Sequence, residues 1–162
     1  ITVHDRPVVD AALSRAEETE APAAALELAD GRMITGKTTD LLGPCAALLL
    51  NALKELAGIP HSQPVISPAA IEPIQTLKTQ YLGSKNPRLH MDEVLIALSV
   101  SAASDPNAQK ALEQLPNLKG CQAHTSVMVS DVDRKLFMKL SIQATFEAKY
   151  ENNSVIFPKK GI

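Results

Sequence analysis

A chain of 162 residues with 16 basic and 18 acidic side chains, a net charge of −2 and 45% hydrophobic residues suits one domain that buries about two thirds of its unfolded surface. No run of Lys or Arg exceeds the pair Lys159 and Lys160, which argues against nucleic acid and against anionic membranes as partners. Two cysteines, Cys45 and Cys121, make no disulfide framework and no signal-type apolar segment opens the chain, so a reducing cytoplasm is expected.

With no Trp, two Tyr and three Phe, the core must come from Leu, Ile, Val and Ala, and helices packed on a sheet are expected. The start at Ile1 falls in mid-pattern, as in a piece of something longer. Asp5-Arg6-Pro7 followed by Val8, Val9, Ala12, Leu13 and Ala16 predicts an amphipathic helix at the periphery, ended by Glu17, Glu18, Glu20 and Pro22. Ala24, Leu26 and Leu28 alternate with Ala25, Glu27 and Ala29, Asp30-Gly31 supplies a two-residue turn, and Arg32 to Thr35 return, so a hairpin is predicted.

From Pro44 to Ala57 the sequence is apolar nearly all round a helical turn, which predicts a helix buried on more than one side. Its punctuation agrees: Gly43 at the N-cap, Pro44 at the first helical position, Gly58 past the end and Pro60 beyond. At ~21 Å it is too short for a membrane span. Pro64 to Ser67 reads as a short strand. Ser67-Pro68 opens a helix that Pro73 should kink or restart, with Ile74, Leu77, Tyr81 and Leu82 on one face and Gly83 as the stop. A polar loop, Lys85 to Arg88, leads to a helix from Met91 to Ala103 with Asp92 and Glu93 in its first turn and an apolar core of Val94 to Leu98. Asp105-Pro106 starts a short helix carrying Leu112 and Leu115, closed by Pro116.

The last third predicts strand, helix, strand. Ala123, Thr125, Val127 and Val129 alternate with His124, Ser126 and Met128. Ser130 with Asp133 makes a capping-box-like start, the helix carries Leu136, Phe137 and Leu140, and Ile142, Ala144 and Phe146 alternate in a second strand. If the two strands are parallel, the connection should be a right-handed crossover. The tail from Glu151 to Ile162 is polar and then apolar at Val155-Ile156-Phe157.

Gly31 to Thr38, GRMITGKT, matches the phosphate-binding pattern G-x-x-x-x-G-K-[ST]. That chemistry needs backbone N–H groups converging on phosphate and a helix starting at the Gly-Lys-Thr itself. Here the pattern overlaps a hairpin and the helix starts later, so ATP binding through Lys37 is not expected. Cys121 and His124, with His90 and Cys45 elsewhere, are ligand types that suit zinc, but Cys-x-x-His supplies two ligands at most and a strand turns the pair to opposite faces. No metal and no cofactor are expected.

The blocks GRMITGKTTDLLGPCAALLLNALK, ISPAAIEPIQTLK, NPRLHMDEVLIALSVSA and LPNLKGCQAHTSVMVSDVD, spanning about residues 20 to 150, together resemble the C-terminal part of a bacterial family known as domain of unknown function 1846. The resemblance implies a protein about three times as long, and an α/β fold: a three-layer α/β/α sandwich similar in topology to cytidine deaminases. It implies no established activity. Some relatives are described as ATP-dependent zinc proteases, yet H-E-x-x-H does not occur here. The deaminase order H-x-E then P-C-x-x-C is also missing, with Pro44-Cys45-Ala46 and His90-Met91-Asp92 standing in the reverse order.

Two functional expectations follow. The first is a ligand-binding or catalytic-accessory domain for a small anionic metabolite, held where the electropositive start of the Pro44 helix meets the Gly36 to Asp40 loop. Lys37, Thr38, Gly43, His90 and His124 are its candidate residues, gathered from three polar stretches into one cleft. Asp40 capping the helix and pairing with Lys37 is the simpler account of that loop. The second expectation is a structural or assembly domain with no site of its own, its partner the N-terminal region of the same full-length chain, with a homo-oligomer left open.

Overall fold

Residues 6–148 are described by a computed structural model. The fold is α/β. Helix α1 (Pro7–Thr19) is followed by strands β1 (Ala23–Glu27) and β2 (Met33–Lys37), then by helices α2 (Pro44–Ala57), α3 (Pro68–Thr76), α4 (Met91–Ala102) and α5 (Pro106–Leu112). Strand β3 (Gln122–Thr125), helix α6 (Asp131–Lys139) and strand β4 (Gln143–Phe146) complete the order. The strands form one mixed sheet, β2-β1-β3-β4, with β1 antiparallel to both neighbours and β4 parallel to β3.

Side chains alternate across a strand, and β1 uses both sides. Ala24 and Leu26 join the large core built on α2, whereas Ala25 packs with Val8, Val9 and Ala12 of α1. Helix α1 is therefore not peripheral: these three residues are fully buried, and the helix covers the sheet face opposite α2. Helix α2 has the predicted bounds, with Gly43 as N-cap and Gly58 in the left-handed conformation at φ 73°. Leu48, Leu49 and Leu53 are buried, each side chain contributing about 1.5–3 kcal/mol by leaving water. The helix reaches β2 at Gly36, where a Cβ would stand 2.3 Å from the backbone nitrogen of Leu48, so this glycine answers to packing.

The hairpin forms by another turn than expected. Gly31 N–H donates to Leu28 O and Leu28 N–H to Arg32 O, and only Gly31 in the loop has positive φ, 92°. That is a three-residue loop in which a type I turn leads into a left-handed glycine. Pro64 to Ser67 forms no strand: Val65 and Ile66 are both buried, plugging the core as consecutive loop residues with no strand edge beside them. Pro73 lies inside α3 and does not restart it, and a π turn follows over Leu77–Tyr81 in which Leu82 N–H donates to Leu77 O. Leu77, Tyr81 and Leu82 of the expected apolar face are exposed, while Lys78, seven residues on from the buried Ile71, turns inward. Helix α5 ends before Pro116, which opens a 3₁₀ turn over Leu115–Leu118. Strand β3 stops at Thr125, whose hydroxyl donates to Val127 O. The tail from Glu151 lies outside the described residues.

Candidate functional site

The starts of α2 and α4 meet. Leu42 and Leu89 pair in a parallel bridge, Gly43 N–H donates to Leu89 O, and Thr39 Oγ1 accepts from the N–H groups of Leu41 and Leu42. Two electropositive helix ends so close together call for a negative charge, and the protein supplies its own. Asp133 of α6, buried and itself held by Ser130 at the helix N-cap, accepts the Met91 N–H at 2.8 Å. Burial pushes the Asp133 carboxyl up, against the pull of the Met91 N–H and of His90. Burial, with the charge of Asp133 behind it, also drives the Cys45 thiol well above its ordinary range, so that cysteine is inert.

Around this junction the polar cluster read from Asn86 to Glu93 is occupied with structural bonds. Glu93 accepts the His90 N–H and the Lys78 ammonium, which also reaches Arg88 O, and Arg88 Nε donates to Thr39 O. Burial works to raise the Glu93 carboxyl, but the His90 N–H and Lys78 outweigh it and hold it below its ordinary value.

The opposite face of the sheet is different in kind. Strands β3 and β4 run in register, Gln122 beside Gln143 and His124 beside Thr145, so these four polar residues share the α1 face while Ala123, Ala144 and Phe146 turn to the core. His124, 1% exposed, lies 2.6 Å through Nδ1 from Thr145 Oγ1 and 2.7 Å through Nε2 from Glu147 Oε2. The Glu147 carboxylate calls for a proton on Nε2, and the direction of the Nδ1–Thr145 bond is set by the protonation of the other ring nitrogen. Hydroxyl, imidazole and carboxylate thus stand in relay order.

Arg6, just before α1, spans the rim. Its Nε donates to Gln122 Oε1 and Nη1 to Thr145 Oγ1, both at 2.7 Å, and Nη2 reaches Ala123 O and Gln143 O at 3.4 and 3.3 Å. All four acceptors are neutral, and among the described residues no carboxylate pairs with this guanidinium. Arg6, Gln122, Gln143, Ala144 and Thr145 line an open cavity of about 350 Å³.

Of the residues expected to share a cleft, Gly43 and His90 are brought together. Thr38 is held to Pro22 O through its N–H and hydroxyl. Lys37 follows Gly36, which faces α2, and so belongs to the α1 face. His124 lies on that face too, with β1 between them, and the sheet separates both from His90. The pattern Gly31 to Thr38 occupies a hairpin loop, β2 and its exit, with the next helix at Pro44. Among the described residues no group of three or more His, Cys, Asp or Glu is placed to hold a metal ion, and no helix is long and apolar enough to cross a membrane. Reasoning from sequence missed Arg6, Gln122, Gln143, Thr145 and Glu147. The alternation of Gln143, Thr145 and Glu147 with Ala144 and Phe146 was the available signal for β4.

Comparison with known proteins finds close relatives. A UPF0371 protein of Corynebacterium glutamicum (strain R) is 56% identical over 95% of this chain, one of Corynebacterium aurimucosum 55% over 96%, and one of Streptococcus thermophilus (strain ATCC BAA-491 / LMD-9) 48% over 93%. The chain spans 31% of the length of each of these relatives. The family model described as "Domain of unknown function DUF1846, C-terminal" matches residues 4–156, and the chain belongs to that family.

Proposed function

We propose that this domain binds a small anionic metabolite, a carboxylate or phosphate ester, in the cavity at the β3–β4 corner, with Arg6 as its cation and Thr145 and the two glutamines as polar contacts. The observation that carries this reading is the guanidinium of Arg6, aimed by four neutral acceptors and paired with no carboxylate among the described residues, on the wall of an open cavity. Neutral acceptors orient a guanidinium without cancelling its charge, and a planar fork of donors suits an oxyanion. The His124–Glu147 pair behind Thr145 gives the site a proton acceptor, so a catalytic-accessory role belongs to the same proposal. The finer fold reading, a three-layer sandwich similar to cytidine deaminases, is supported by helices on both faces of the sheet. A cytoplasmic setting is supported by two buried free thiols.

Calorimetric titration with inorganic phosphate and with citrate tests the site. Saturable binding of at least one anion is expected, weakened about tenfold or more by Arg6→Gln and less by Thr145→Val, with Arg32→Gln unaffected because Arg32 is paired with Asp30 and Glu55 on the hairpin side. Absence of binding to either anion, or equal binding by Arg6→Gln, overturns the proposal.

A further inference from the structure

Among the described residues, two apolar surfaces lack the cover that their sequence pattern demands. The run from Val94 to Leu98 is apolar round most of α4, which in a helix signals burial on several sides. Val94, Ala97 and Leu98 are buried as that requires, yet Ile96 is 61% and Val100 70% exposed, one turn apart on a single face. The π turn after α3 presents Leu77, Tyr81 and Leu82, at 49%, 76% and 71% exposed. Lys78 of that turn bonds Glu93 of α4 at 2.9 Å, which ties the two segments together. Scattered apolar residues on a surface need no explanation, but five large ones on two adjoining elements mark a contact face.

The relatives say how much protein is available to form that contact. This domain spans 31% of their length, so more than two thirds of a polypeptide of that size lies beyond it. We propose that Ile96 and Val100 of α4, with Leu77, Tyr81 and Leu82 of the π turn, form the seat on which the rest of the longer polypeptide docks in cis. Occupancy by the same chain explains why a pattern of full burial persists on an element that this domain covers on one side. The anion site, on the far side of the sheet, plays no part in this docking.

Thiol labelling of the full-length protein reads the docking directly, because both native cysteines are buried and burial raises their pKa. Ile96→Cys and Tyr81→Cys are compared with Lys110→Cys, an exposed polar position on α5. Protection of the first two by about tenfold or more, unchanged on dilution, is expected. Labelling as fast as at Lys110→Cys overturns the proposal, and so does protection that disappears on dilution, which assigns the face to a second copy. Hydroxyl-radical oxidation of Tyr81 in the unaltered protein gives the same readout without a substitution: a rate matching that in denaturant overturns the docking, and a suppressed rate supports it.

Discussion

Replacing Gly36 by alanine probes the tightest approach of strand to helix. An ideal Cβ at Gly36 would lie 2.3 Å from Leu48 N, 2.6 Å from Leu48 Cα and 2.8 Å from the Ala47 carbonyl carbon. All three are backbone atoms within α2, so no side-chain rotation makes room and the helix must move off β2 by about 1 Å. Leu48, Leu49, Ala52 and Leu53 lie along that helix at 0–2% exposure, and a gap of about 1 Å forfeits roughly a quarter to a half of each dispersion contact across it. Overpacking ordinarily costs about 1–3 kcal/mol, and with unyielding backbone on one side a loss of about 3 kcal/mol is expected. Urea denaturation measures it as a lower midpoint at unchanged slope. Gly36 has no positive φ, so without the clash alanine in this strand would gain about 0.5–1 kcal/mol through reduced chain entropy. An unchanged or stabilised variant would therefore refute the packing argument. A phosphate-loop glycine would behave differently, losing nucleotide binding while stability held.

Three further substitutions, at Asp133 and Gly31, test other parts of the structure. Asp133→Asn keeps an oxygen for the Met91 N–H but removes the titration. Because the folded carboxyl sits above its ordinary value of 3.8, the wild type loses stability as pH rises from that value, so the Asn variant should gain on it between pH 3.5 and pH 7 in paired denaturation curves; a constant difference contradicts the raised pKa. Asp133→Ala strands the buried Met91 N–H and should cost about 1–3 kcal/mol at neutral pH. Gly31→Ala meets nothing within 4 Å, so its cost is purely that of a left-handed alanine at φ 92°, about 1–2 kcal/mol, and an unchanged midpoint would show that the loop relaxes.

Much of the fold was legible because its signals are local. Gly43, Pro44 and Gly58 bound α2 through rules that involve only neighbouring residues, and Ser130 likewise starts α6 by accepting the Asp133 N–H, although the Asp133 carboxylate turns to Met91 instead of completing a capping box. What was misread depended on partners remote in sequence. Val65 and Ile66 have strand-like character, but a strand needs an edge to pair with, and these residues fill a gap among helices instead. The register of apolar residues after Pro73 assumed 3.6 residues per turn. One wide turn at Leu77–Tyr81 breaks that register for Tyr81 and Leu82, which point outward, while Lys78 lies inward against Glu93 and Arg88 O.

The candidate site shows the same limit in electrostatic form. That the start of α2 is electropositive follows from the helix alone, and the expectation of an anion there was sound physics. Which anion answers it is a tertiary question. Asp133 lies on a helix near the other end of the chain, and its carboxylate, bonded to the Met91 N–H where α4 starts beside α2, meets the demand from inside the protein. At the β3–β4 corner the balance is reversed. Arg6 reaches glutamine, threonine and main-chain oxygens contributed by β3 and β4, and none of them carries the negative charge that would cancel its own. At the helix junction the protein places its own buried carboxyl against the start of α4, whereas at the β3–β4 corner a guanidinium is fixed by neutral groups beside open volume, which is the ground of the proposed anion site. That contrast in charge compensation is the reason the site is proposed on the α1 face of the sheet.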